Sequence, residues 1–209
     1  MEPLRAVNGE ADAALSAVRA GKPIVIPTDT VYGLCANPYR REPVERAYGL
    51  KGRTPEQPSA LLAADVDMLF ECLPELRSRL GALLRALLPG PLTLVVPNPA
   101  RRYRWLTGSN PDALGVRVPA LPQVSAGILA GIGALMATSA NLAGGPDPKH
   151  ADEVPEAIRT GCAAVIDGGE LPGTPSTVID LTGEEPRVLR EGAVPADEVF
   201  SRVAALSAQ

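Results

Sequence analysis

The sequence predicts an α/β domain of strands and helices in mixed order. Two observations carry this. Short aliphatic or β-branched runs alternate with longer stretches whose apolar residues recur at helical spacing, and Pro or Gly punctuates most of the junctions. The 209 residues hold no repeat, linker or charge block, so a single domain over 1–209 with a sizeable core is expected.

Asp12 to Ala20 is alanine-rich with helical spacing, and Gly21 follows as a C-cap. Lys22-Pro23 then enters a buried strand, Ile24-Val25-Ile26, which breaks at Pro27. Thr28-Asp29-Thr30 comes next, two hydroxyls flanking a carboxylate, before the chain turns apolar again at Val31-Tyr32-Gly33-Leu34. Ligands of open α/β sheets sit where strands hand over to loops, so this triplet can hold a small polar ligand. The plain alternative is a turn in which Asp29 bonds its own backbone.

Glu42 to Leu50 reads as a helix with Pro43 in its first turn, ending in Lys51-Gly52-Arg53. The glycine allows a close backbone approach, and the two cations can hold phosphate or carboxylate. A solvated basic turn would look the same. Ser59 to Ala64 is an expected strand, Asp67 to Leu73 a short helix and Pro74 to Leu88 a longer leucine-striped one, stopped by Pro89-Gly90-Pro91. Leu92 to Val96 is the next strand, and Pro97-Asn98-Pro99 ends it. Arg101-Arg102-Tyr103-Arg104-Trp105 reads as a surface loop with a packed Trp, although basic-aromatic runs also serve nucleic-acid contact.

Leu114 to Pro119 is a strand with Arg117 on the face opposite Val116 and Val118. Alternation leaves open whether that face is a pocket or solvent. Gln123 to Gly131 is a small-residue helix. Ala134 to Ala137 is a strand leading into Thr138-Ser139-Ala140-Asn141-Leu142-Ala143-Gly144-Gly145, a loop with the hydroxyls, amide and glycines of an anion-binding or capped turn. Glu153 to Thr160 is a helix, Ala163 to Asp167 a strand, and Pro175-Ser176 opens a loop before the strand through Val178-Ile179-Asp180. Arg187 to Arg190 is a last strand. The region of Val194 to Asp197 starts a helix reaching about Leu206.

Bulk properties exclude several functions. A net charge of −4 gives no global attraction to nucleic acid or anionic membranes, so any anion site must be local. Three scattered cysteines, Cys35, Cys72 and Cys162, argue against a disulfide framework or a zinc site. The single histidine, His150, excludes histidine clusters and argues against a Ser-His-Asp mechanism; it is expected in a loop or cap. No apolar run reaches membrane-spanning length and the N-terminus lacks a signal core, so a cytoplasmic protein with no membrane partner is expected.

Taken in order, Pro27-Thr28-Asp29-Thr30-Val31-Tyr32-Gly33-Leu34, Lys51-Gly52-Arg53, Pro89-Gly90-Pro91-Leu92-Thr93-Leu94, Gly115-Val116-Arg117-Val118-Pro119, Ser139-Ala140-Asn141-Leu142, Ser176-Thr177-Val178-Ile179-Asp180 and Leu189-Arg190-Glu191-Gly192 closely resemble the YrdC-like family of threonylcarbamoyl-AMP synthases. The resemblance runs from about residue 18 to 194 and is to the short, single-domain form. It implies a curved mixed β-sheet with flanking helices around a basic concave cavity. It also implies the reaction: L-threonine, bicarbonate or CO2, and ATP give threonylcarbamoyl-AMP and pyrophosphate. A downstream tRNA threonylcarbamoyl transferase complex would use that product beside the anticodon, with a transient RNA contact allowed for.

By the same resemblance, Lys51 and Arg53 are the catalytic pair. Thr28, Thr30, Lys51, Arg117, Ala137 and Ser176 would bind threonine. Arg53, Gln57, Ser139, Asn141, Asp147 and Arg190 would bind ATP. Mg²⁺ would arrive on the phosphates, with no protein metal site. Adenylyl transfer needs charge neutralisation and alignment more than a protein nucleophile, which suits a chain with one histidine. The sequence departs from the family pattern at Gln57, where His or Asn is usual, at Leu62, where His is usual, and at Asp147, where a small hydroxyl residue is usual. A non-catalytic double-stranded RNA-binding module is the alternative. A third reading is the carbamoyl-adenylate domain of hydrogenase-maturation proteins, but their acylphosphatase-like and zinc-finger segments are not in this sequence.

Overall fold

A computed structural model describes residues 2–77 and 80–207. Helix α1 (Glu2–Arg19) leads into a hairpin of β1 (Ile24–Pro27) and β2 (Tyr32–Ala36), followed by α2 (Arg41–Lys51), β3 (Ala60–Ala63) and α3 (Val66–Cys72). After α4 (Gly81–Leu87) come β4 (Leu92–Pro97), β5 (Ala113–Arg117), α5 (Gln123–Ile132) and β6 (Ala134–Ser139). The chain closes with α6 (Glu156–Gly161), β7 (Ala164–Val165), β8 (Thr177–Asp180), β9 (Arg187–Arg190) and α7 (Ala196–Ser207). Among the described residues the strands form one nine-stranded sheet in the order β7-β1-β2-β6-β3-β5-β4-β8-β9. It is mixed: β1 with β7, β3 with β5 and β4 with β8 run parallel, and the other neighbours antiparallel.

Most expected elements are present, and the differences have local causes. Helix α1 starts ten residues before Asp12. The return strand β2 is an addition to the expected elements. All its residues are buried, so it shows no alternation, and a glycine sits near its start. The expected Pro74–Leu88 helix is a 3₁₀ turn at Pro74–Arg77 and then α4; residues 78 and 79 lie outside the described residues. Leu76, Leu84 and Leu87 are all buried in one core, so the leucine stripe reports burial rather than continuity. The Glu153–Thr160 helix is split likewise, because Pro155 lacks the N–H that would continue it. Strand β7 is shorter than Ala163–Asp167. His150 caps the turn before α6, as expected of a cap residue, and Trp105 is packed with its indole N–H on the Pro38 carbonyl (2.8 Å).

Strand alternation sends side chains to two cores. One face, with Val25, Leu34, Leu61, Met136, Val116 and Leu94, packs under Val44 of α2, Leu69 of α3, Leu84 of α4, Ile158 of α6 and Val199 of α7. The other face carries Ile24, Ile26, Cys35 and Leu135 under Ala14 and Val18 of α1 and Ile128 and Leu129 of α5. Those two helices cover only part of this face. Where they stop, Gly33, Ala60, Gly115, Ala137, Thr93 and Val178 form the floor of a cavity.

Candidate functional site

The cavity measures about 650 Å³. Its floor is low because the residues there are small: Ala60 pairs with Gly115 on one side and Ala137 on the other. Thr28, Thr30, Lys51, Arg53, Gln57, Arg117, Ala137, Ser139, Asn141, Asp147, Ser176 and Arg190 all line it. The fold therefore gathers every residue expected at the site into one cavity, although they come from separate segments of the chain. Lys51, Arg53, Arg117 and Arg190 bring the positive charge, and Asp147 and Asp180 are carboxylates of the same wall.

Lys51 is the last residue of α2, and Gly52 ends the helix in a left-handed conformation (φ 63°). That turn points the Lys51 ammonium inward, where the residue is only 6% exposed. Its Nζ donates to the carbonyls of Ser139 (2.7 Å) and Asn141 (2.8 Å), and to Asn141 Oδ1. Ser139 Oγ donates to the same Oδ1 at 2.6 Å. The loop after β6 is thus folded around one ammonium group. Burial, with Arg53 beside it, pulls the Lys51 ammonium down to about 8, and Asp147 opposes this in part.

Arg53 lies over the Tyr48 ring, 5.5 Å from its centroid. It donates through Nη1 to Thr138 Oγ1 (2.8 Å) and through Nη2 to the Pro58 carbonyl. Its Nε is buried with no partner among the described residues. Arg117 faces the cavity, which settles the question alternation left open. Its Nη2 lies 2.7 Å from Asp29 Oδ1 and 3.4 Å from Thr30 Oγ1, and its Nε is likewise buried and unpartnered among the described residues. Burial lowers both guanidinium pKa values, though Arg stays charged. Buried donors with nothing to bond are costly unless a ligand supplies the acceptor.

In the hairpin loop, Thr28 Oγ1 donates to the Val31 carbonyl (2.7 Å) and accepts from the Thr30 and Val31 N–H groups. Asp29 is not the self-bonded turn residue of the plain alternative. It is turned to Arg117 and to the Ala120 N–H, which meets Oδ2 at 3.2 Å. At the other end, Arg190 donates to the Ser176 carbonyl through Nε (3.2 Å) and Nη2 (2.7 Å) and to Ser176 Oγ (3.1 Å). Ser176 Oγ also meets Thr93 Oγ1 at 2.8 Å. Thr93 and Thr138 line the cavity too, and sequence reasoning does not single them out as site residues. A signal exists for Thr93: a hydroxyl alternating with Leu92 and Leu94 in a buried strand.

Comparison with known proteins assigns the family. Residues 16–192 match the family model Sua5_yciO_yrdC, described as telomere recombination. The chain belongs to the Sua5/YciO/YrdC family. A threonylcarbamoyl-AMP synthase of Pyrococcus abyssi is 37% identical over 183 residues, 87% of this chain and 54% of that protein. A putative threonylcarbamoyl-AMP synthase of Mycobacterium tuberculosis is 32% identical over 187 residues, 89% of this chain and 85% of that one. Among solved structures, P. abyssi Sua5 complexed with L-threonine superposes with a TM-score of 0.84 at 35% identity, covering 92% of this chain and 57% of the other. This member of the Sua5/YciO/YrdC family therefore spans about half the length of its Pyrococcus relative and most of its mycobacterial one. Among the described residues, no helix is long and apolar enough to cross a membrane.

Proposed function

We propose that this protein is a threonylcarbamoyl-AMP synthase, a nucleotidyltransferase acting in the cytoplasm. It would form threonylcarbamoyl-AMP and pyrophosphate from L-threonine, bicarbonate or CO2, and ATP. The product would feed a downstream tRNA threonylcarbamoyl transferase complex. The observation that carries the proposal is the convergence of Lys51, Arg53, Arg117 and Arg190 on one cavity with the Ser139, Asn141 and Ser176 side chains. The names of the relatives and the threonine complex of the Pyrococcus protein support it.

The threonine amine and bicarbonate give a carbamate with loss of water. A carbamate oxygen then attacks the α-phosphorus of ATP, and pyrophosphate leaves with the bonding pair. No step needs a protein nucleophile. The protein has to hold two anions together and align them. The Thr28-Thr30 loop, Arg117 and Ser176 would take threonine, with Ala137 leaving it room on the floor. Arg53, Gln57, Ser139, Asn141 and Arg190 would take the nucleotide. Lys51 would shape the Ser139–Asn141 loop and add its charge beside the phosphates.

Mg²⁺ would be carried by the ATP phosphates rather than by a protein cage, with Asp147 as a carboxylate of the cavity wall within electrostatic reach of Lys51. When bound, the ion would neutralise charge on the leaving pyrophosphate. The test is pyrophosphate release from ATP and bicarbonate, with and without L-threonine. Threonine-dependent release that collapses in Lys51→Ala is expected. Folded protein that holds duplex RNA but releases no pyrophosphate would favour the binding-module alternative.

A further inference from the structure

The Asp29–Arg117 pair is built differently from the other ion pairs on this surface. Both side chains are about nine-tenths buried, with Arg117 11% and Asp29 8% exposed, whereas a pair such as Arg41–Glu45 is open to solvent at both ends. Asp29 uses both oxygens. Oδ1 accepts from Arg117 Nη2 at 2.7 Å and Oδ2 from the Ala120 N–H at 3.2 Å. One carboxylate thus ties the hairpin loop of Thr28 and Thr30 to the end of β5 and the segment after it, 88 positions away. The pair engages a single guanidinium nitrogen, Nη2. Arg117 lines the cavity, yet its Nε is buried with no partner among the described residues. The protein therefore holds this arginine firmly and leaves a donor unspent.

We infer that Asp29 is a positioning residue: it orients Arg117 so that the unspent donor receives the carboxylate of the amino-acid substrate, while Thr30, on the same loop, is brought against the same ligand. Asp29 itself does not line the cavity and acts through Arg117. This deepens the synthase reading and rests on it for the identity of the amino acid. A buried carboxylate aimed at an arginine fixes geometry that solvent would otherwise blur. A threonine carboxylate is planar and bidentate, so it is sensitive to a rotated guanidinium. The nucleotide, held by other residues, is much less so.

The test is calorimetric titration of the full chain with L-threonine and, separately, with ATP. Asp29→Asn should weaken L-threonine binding at least tenfold and ATP binding less than twofold. Asp29→Glu, which keeps the charge, should recover most of the threonine affinity. In an Arg117→Ala background, adding Asp29→Asn should change threonine binding less than twofold, because nothing remains to position. Equal weakening of both ligands, or full additivity with Arg117→Ala, would overturn the inference. Should Asp29→Asn fail to fold, Asp29→Ser takes its place on the same terms: a selective loss of threonine affinity that vanishes in the Arg117→Ala background upholds the inference, and equal weakening of both ligands or unchanged threonine affinity overturns it. Wild-type chain that binds threonine but releases no pyrophosphate would sink the synthase reading while leaving the role of Asp29 legible. Wild-type chain that binds no threonine would overturn both.

Discussion

The Lys51 ammonium sits 2.7 Å from the carbonyl oxygen of Ser139, 88 positions later in the chain, and it also takes the Asn141 carbonyl and side chain. An ammonium has three donors, and here all three have acceptors on one loop. Lys51→Ala would take this donor from the Ser139 and Asn141 carbonyls and leave Asn141 Oδ1 with Ser139 Oγ alone. The expected loss is about 2 kcal/mol of stability and about 100-fold in pyrophosphate release. Lys51→Arg should not restore activity, because a planar fork cannot meet three convergent acceptors. Denaturant unfolding and steady-state rates on both variants check this; an active Lys51→Arg variant would contradict it.

The same burial makes the site pH-dependent. The Lys51 ammonium has its pKa lowered to about 8 from the usual 10.5. Between those values the unfolded chain binds more protons than the folded one, so this residue's contribution to stability rises with pH across that window. Activity should run the other way. kcat/KM for ATP is expected to fall above about pH 8 as the ammonium loses its charge, and the limb should move to higher pH in kcat, where bound phosphate favours the protonated form. A kcat/KM profile flat to about pH 10 would show that Lys51 charge is not needed.

Arg190 grips the Ser176 carbonyl through both Nε and Nη2, and it reaches Ser176 Oγ as well. Removing it in Arg190→Ala costs charge-assisted bonds of about 1.5–3 kcal/mol. KM for ATP should rise tenfold or more. A smaller rise for threonine is expected, since Ser176 Oγ keeps its contact with Thr93. An unchanged KM for ATP would remove Arg190 from the nucleotide site.

Gly192 backs the Ser176 loop so closely that a Cβ there would come within 2.5 Å of the Ser176 carbonyl carbon and 2.6 Å of the Thr177 nitrogen. These are backbone atoms, which cannot swing aside. Gly192→Ala should therefore cost about 1–3 kcal/mol in stability and displace Ser176. Both ligands should bind more weakly. A variant as stable and active as wild type would mean the loop is looser than its contacts imply.

The parts of the fold legible in the sequence are those with a local signature. Pro27, Gly21 and Pro89-Gly90-Pro91 mark element ends, and the β4 and β5 runs alternate as strands should. Strand β2 is illegible because every residue in it is buried. The helix expected before β4 breaks in two, and its leucine stripe hides this because both pieces feed one core. The site is legible as a set of polar motifs, each too short to be convincing alone. What the sequence does not show is pairing across distance. Nothing local says that Asp29 meets Arg117, that Arg53 meets Thr138, or that Thr93 meets Ser176. These contacts exist because the sheet order places β5 and β6 on either side of β3, and β8 beside β4.

The proposed reaction joins threonine, bicarbonate and ATP into one adenylate in this cavity. It is tested by incubating the full chain with ATP, L-threonine and carbon-13 bicarbonate, followed by mass analysis of the nucleotide products. An AMP conjugate that carries both threonine and the labelled carbon, formed one for one with pyrophosphate and lost in Lys51→Ala, is expected. Folded protein that binds ATP and threonine yet yields no labelled conjugate would contradict it.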